Sequence, residues 1–137
     1  MFFKKKESNN DESDFVKIAA LLIHAARIDE NYSKEEEDII KKTLIDLGVD
    51  KENLDTLIIK AKKSEENANQ ILDFTKEIKN LEETNKIKII KSLWKIIYSN
   101  KVADIYEANL MRRLAGLLYI DSKVMGDIKE EIKKENL

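Results

Sequence analysis

Residues 18–50 read IAALLIHAARIDENYSKEEEDIIKKTLIDLGVD, and residues 89–121 read IIKSLWKIIYSNKVADIYEANLMRRLAGLLYID. The two stretches align without a gap at an offset of 71 positions. Ile18 meets Ile89, Leu22 meets Leu93, Glu36 meets Glu107, Leu47 meets Leu118 and Asp50 meets Asp121. Between these identities the character holds: Ser33 faces Asp104, Ile39 and Ile40 face Leu110 and Met111, Lys41 and Lys42 face Arg112 and Arg113, and Val49 faces Ile120. Each copy predicts helix, polar hinge, helix. The offset predicts a duplicated three-helix unit whose two copies are related by an approximate two-fold axis.

Working outward, apolar residues recur at three- and four-residue steps, the period of a helix with one buried face. Phe15, Ile18, Ala19, Leu22, Ile23 and Ala26 predict a first helix over about residues 14–29. Ser33 with Glu36 forms a capping-box pattern for a second, which carries Ile39, Ile40, Leu44 and Leu47 and ends at a left-handed Gly48. Asp50 is placed to cap a third helix with Leu54, Leu57, Ile58 and Ala61, followed by a polar break at Ser64 to Asn67. A fourth, through Ile71, Leu72, Thr75 and Ile78, has no counterpart in the repeat and bridges the copies. The fifth carries Ile87, Ile90, Leu93, Trp94 and Ile97. The sixth repeats the capping box as Asp104 and Glu107 ahead of Leu110, Met111, Leu114 and Leu118. Asp121 caps a seventh with Val124, Met125, Ile128 and Ile132. The expected fold is all-α: a compact bundle of about seven helices over residues 14–134, with 1–13 a flexible N-terminal segment and 135–137 a tail.

Composition agrees and narrows the function. No proline and three glycines leave few strand turns. Charges of both signs are interspersed to a net −2, which argues against a nucleic-acid surface. The absence of cysteine excludes disulfides, thiolate metal sites and cysteine nucleophiles, and makes the cytoplasm the expected compartment. At the start, Phe2 and Phe3 precede Lys4, Lys5 and Lys6, the reverse of a secretory signal. Two readings fit: a frayed terminus, or a weak foot on the inner face of the membrane in which the rings insert and the lysines meet anionic lipid.

These residues resemble the tellurite-resistance protein B (TerB)-like family. The run Leu21-Leu22-Ile23-His24-Ala25-Ala26-Arg27-Ile28-Asp29, with Glu36 seven positions after Asp29, is similar to the family's first signature. Trp94, Tyr98, Asn100 and Glu107, followed by Asn109-Leu110-Met111-Arg112-Arg113-Leu114-Ala115, resemble its second, and Leu72-Asp73-Phe74-Thr75 its bridging helix. The departures fall at the hinges. Glu30 and Lys101 stand where the family has glycine, and Asn100 replaces its second aspartate. The resemblance implies an acidic, cation-binding feature, intact in the first copy and degraded in the second.

Two readings of that feature follow. Asp29, Glu36 and Glu107, with Asn100 as a neutral fourth ligand, offer hard oxygen donors suited to magnesium, calcium or manganese. Alternatively, Glu36 and Glu107 serve only their capping boxes and Asp29 pairs with a base or caps a helix. His24, the single histidine, is expected to be a packed or rim residue, since a lone imidazole makes no zinc site. Trp94 and Tyr98, four apart, are expected in core or rim packing, and Lys60, Lys62 and Lys63 at a solvated helix end. No activated nucleophile and no phosphate-cradling glycine loop stands out. The expectation is a non-enzymatic TerB-like binding or scaffold module with a protein partner, which the resemblance ties to stress or tellurite resistance. The alternative is a divalent-cation-binding or sensing protein; a metallohydrolase would need more than the carboxylates.

Overall fold

The computed structural model describes residues 9–28, 33–68, 71–99 and 105–135, with the backbone alone at 9–13 and 105–107. Among these residues the fold is all-α. Its helices are α1 (Asn9–Arg27), α2 (Lys34–Leu47), α3 (Leu54–Asn67), α4 (Leu72–Ile78), α5 (Glu83–Tyr98), α6 (Ile105–Leu117) and α7 (Ser122–Glu135). A single 3-10 turn, Lys51–Asn53, precedes α3. Phe2, Phe3, Lys4, Lys5 and Lys6 lie outside the described residues, as do Asp29, Glu30, Asn100, Lys101 and Asp104.

α1 is the axis of the molecule. The unbroken run Ile18 to Ile23 is inaccessible to solvent, and Ala25 and Ala26 are nearly so. A helix apolar on all sides must be covered on all sides, and α1 packs against α2, α3, α4 and α5. The expected stripe therefore understated it: Ala20, Leu21 and Ala25 are buried as well. α5 is the second organiser and packs along α2 and α7, while α6 packs chiefly on α7.

Local signals placed both ends of α2, the end of α6 and the start of α7. Ser33 Oγ accepts from Glu36 N–H at 3.1 Å, and Glu36 Oε1 accepts from Ser33 N–H at 2.8 Å, closing the capping box. Gly48, at φ 118°, ends α2, with Val49 N–H donating to Leu44 carbonyl at 2.9 Å. The same termination recurs 71 residues on: Tyr119 stands at φ 60° and Ile120 N–H donates to Ala115 carbonyl at 2.9 Å. A side chain with a Cβ in that region costs about 1–2 kcal/mol. Beneath it, the buried Lys86 donates to Leu118 carbonyl at 2.9 Å, and Lys86 and Lys79 lie 5.7 and 5.8 Å from the Tyr119 ring. Asp121 Oδ1 accepts from Lys123 N–H at 2.9 Å and caps α7 as expected.

Four expectations need correction. α1 begins at Asn9 rather than 14. Asp50 makes no side-chain cap; its carbonyl closes the 3-10 turn by accepting from Asn53 N–H at 2.9 Å. Ser64 to Asn67 continue α3, since Glu65 is anchored by Arg27 at 2.7 Å and His24 at 3.3 Å. At α4, Ile71, Thr75 and Ile78 are buried as expected, but Phe74 is buried with them while Leu72 is 43% exposed.

Candidate functional site

The candidate metal ligands begin with Glu36. It sits in the first turn of α2 and is only 1% exposed. Its carboxylate holds the α2 cap through Oε1, and Oε2 lies 3.5 Å from Ser99 Oγ. Ser99 itself donates to Ile96 carbonyl at 2.6 Å. Two turns further on, the buried Thr43 and Ser92 hydroxyls are hydrogen-bonded at 2.8 Å. α2 and α5 are thus laid antiparallel, and the residue that opens the second hinge meets the residue that closes the first.

Asp29 and Asn100 lie outside the described residues, and of Glu107 only the backbone, in α6, is described. Among the described residues, no group of three or more histidine, aspartate or glutamate side chains could hold a metal ion. A cation drawing on Glu36 would compete with the cap for Oε1. His24 sits at the rim, half-buried, between Glu65 and the Phe74 ring at 6.3 Å. Lys62 is tied to Glu37 at 3.4 Å instead of standing only in solvent. Trp94 and Tyr98 are buried and stacked, with centroids 5.8 Å apart. Burial, and secondarily Glu130, pushes the Tyr98 phenol above its ordinary value.

The sequence reading missed a groove of about 480 Å³ between α5, α6 and α7. Its lining on α6 comes from Ala108, Met111, Arg112, Ala115 and Gly116, spaced at three- and four-residue steps. On α7 it comes from Ser122, Met125, Gly126 and Lys129, and Trp94 and Ile120 complete it. Trp94, Met111, Ile120 and Met125 are buried and make it apolar. The Trp94 indole N–H is buried with no hydrogen-bond partner among the described residues. Most buried indole donors find one. Lys129 Nζ stands 5.5 Å above the Trp94 ring.

The glycines explain the depth. A Cβ added at Gly116 or Gly126 would meet nothing within 4 Å. Glycine inside a helix is about 1 kcal/mol less favourable than alanine, so packing gives no reason for either residue. Both keep the walls of the groove bare. That was the available signal: glycine within otherwise good helical pattern, near the tryptophan one helix earlier.

An all-helical fold with a central apolar helix, a buried capping glutamate and a groove between α5, α6 and α7 defines the class: a small all-helical domain. Residues 15–130 match the family model of the tellurite resistance protein TerB. The chain therefore belongs to the TerB family. No curated protein and no solved structure matches it significantly. No described helix is long and apolar enough to cross a membrane.

Proposed function

We propose that the chain is a non-catalytic TerB-like binding module that holds a protein partner in the groove between α5, α6 and α7. The observation that carries this reading is the groove itself, apolar at its floor and kept open by glycines that packing does not require. Sites of this size usually bind through apolar contact with a few placed polar groups, and Arg112 and Lys129 are such groups here. Methionine walls adapt to a partner's shape, which suits Met111 and Met125 to that role.

The test compares capture from native lysate by the wild type and by Gly126→Leu, with and without divalent metal. Leucine at 126 fills the groove from a position with open space around it. The expected result is a partner retained by the wild type, lost with the leucine, and indifferent to metal. Equal capture by both chains would remove the groove from the account.

A second reading, a divalent cation held by Asp29, Glu36, Asn100 and Glu107, is favoured by the approach of Ser99, the sequence neighbour of Asn100, to Glu36. Its test is a thermal-shift series with magnesium, calcium and manganese. A rise in Tm for the wild type, absent from the Asp29→Ala, Glu36→Ala double variant, is the expected result on that reading. The family's name supplies no tellurium chemistry here, because the chain has no thiol to meet an oxyanion.

A further inference from the structure

The groove-lining positions have sequence counterparts 71 residues earlier, and several of those counterparts form ion pairs with one another. Glu37 pairs with Lys41 at 3.3 Å, and Lys41 reaches Asp55 at 3.6 Å, so the three residues tie α2 to α3. Their counterparts at that offset are Ala108, Arg112 and Gly126. The cation is kept and both carboxylates are gone. Arg112 donates to Asn109 Oδ1 at 3.3 Å and has no carboxylate partner among the described residues. Lys129 adds a second cation on the opposite wall, where α2 and α3 have Ile58. Two acidic neighbours on α7 are engaged elsewhere, Asp127 with Lys123 at 3.1 Å and Glu131 with Lys91 at 3.4 Å, while Glu130 acts on Tyr98 beside Trp94.

Resting on the binding-module reading, we infer that the occupant is an acidic amphipathic helix of a partner protein, which supplies from outside the carboxylates that Glu37 and Asp55 supply within the chain on the other side. The shape fits that occupant. The lining runs from Ala108 to Gly116 on α6 and from Ser122 to Lys129 on α7, about 10–12 Å at the rise of a helix. Apolar anchors at i, i+3 or i+4, and i+7 of a docked helix cover the same length. Its anchors rest on Trp94, Met111 and Met125, and acidic residues flanking them meet Arg112 and Lys129. The chain's own apolar start carries three lysines, Lys4 to Lys6, of the same sign as the rim, and so does not complement it.

The test is a display library of helix-forming peptides of about 18 residues, panned against the wild-type chain and counter-panned against Gly126→Leu. Enriched sequences should carry apolar residues at helical spacing with an excess of aspartate and glutamate. Trp94 is the single tryptophan, so its emission reports occupancy directly. A selected peptide should shift it saturably, and Gly126→Leu should bind at least about tenfold more weakly with Tm unchanged or higher. Arg112→Glu with Lys129→Glu should reverse the preference toward lysine-bearing peptides, and added salt should weaken the wild-type complex. Enrichment of basic or extended peptides, or no enrichment, overturns the proposal. So does saturable binding of dodecanoate at Trp94 where peptides fail, or a dimer of the chain that Gly126→Leu dissolves. If no peptide is enriched while lysate capture remains sensitive to Gly126→Leu, the helix is wrong but the groove stands; if capture is insensitive, the groove reading itself has failed.

Discussion

The shoulder formed by α2 and α3 and the shoulder formed by α6 and α7 start from the same pattern and finish differently. α6 begins 71 residues after α2, and α7 begins 71 after the 3-10 turn that leads into α3. Both shoulders end their first helix with a left-handed residue and a 6→1 backbone bond. The first shoulder then fills its interior with Leu44, Leu54 and Ile58 and locks its rim with Glu37, Lys41 and Asp55. The second has Ala115, Met125 and Lys129 at the matching places and no such lock. The contrast is that similar helix endings border an ion-paired rim on one side and a groove on the other.

The largest effect expected from this contrast comes from truncating the packed side. Leu44 is fully buried, so Leu44→Ala should lose about 2–5 kcal/mol in urea unfolding. The matching insertion, Ala115→Leu on the half-buried wall of the groove, should stay within about 1 kcal/mol of wild type, because it enters space that is already empty. Similar losses from both changes would mean that the open shoulder is as tightly packed as the closed one.

The hinge end of the comparison turns on Glu36. Glu36→Ala removes the acceptor for Ser33 N–H and leaves a gap beside Ser99. About 1–2 kcal/mol should be lost, read as a lower urea midpoint. The two caps sharpen the contrast further. Gly48→Ala should destabilise by about 1 kcal/mol, since φ is 118° there. Tyr119→Gly should go the other way by less than about 1 kcal/mol, because relief of backbone strain is offset by loss of the ring over Lys86 and Lys79. A destabilised Tyr119→Gly protein would show that the ring contacts outweigh the strain.

The smallest effect is in pH. The Tyr98 phenol titrates higher in the folded chain than in the unfolded one, through burial first and Glu130 second. Stability from this group is therefore complete below the unfolded value of about 10. It falls as pH rises from there through the folded value. Tyr98→Phe should flatten that alkaline decline in a denaturation series, and an unchanged slope would assign the decline to other groups.

Most of the fold was legible in the sequence because its signals are local. Ser33 with Glu36, Gly48 and Asp121 each specify a helix end within four residues of chain, and the apolar spacing marked the buried faces. Tertiary contacts hid the remainder. Glu65 keeps Ser64 to Asn67 helical only because Arg27 and His24 reach it from α1. The centrality of α1 could have been read from the unbroken run Ile18 to Ile23, which leaves no polar face for solvent. At Glu36 the capping box was legible in the sequence, and the structure adds Ser99 beside it. The groove left almost no trace, because a concavity is made of small residues and their signal is the absence of volume. Gly116 and Gly126 were its nearest equivalent of a motif.

The central proposal is that the α6–α7 side binds a partner through its groove and that the α2–α3 side does not. Amide chemical-shift mapping of the labelled full chain, titrated with a peptide selected on the wild type, tests this most directly. The account predicts perturbations concentrated at Trp94, Ala108 to Gly116 and Ser122 to Lys129, with residues 37–45 and 51–58 unmoved. Shifts of equal size on both shoulders, or confined to α2 and α3, would contradict it.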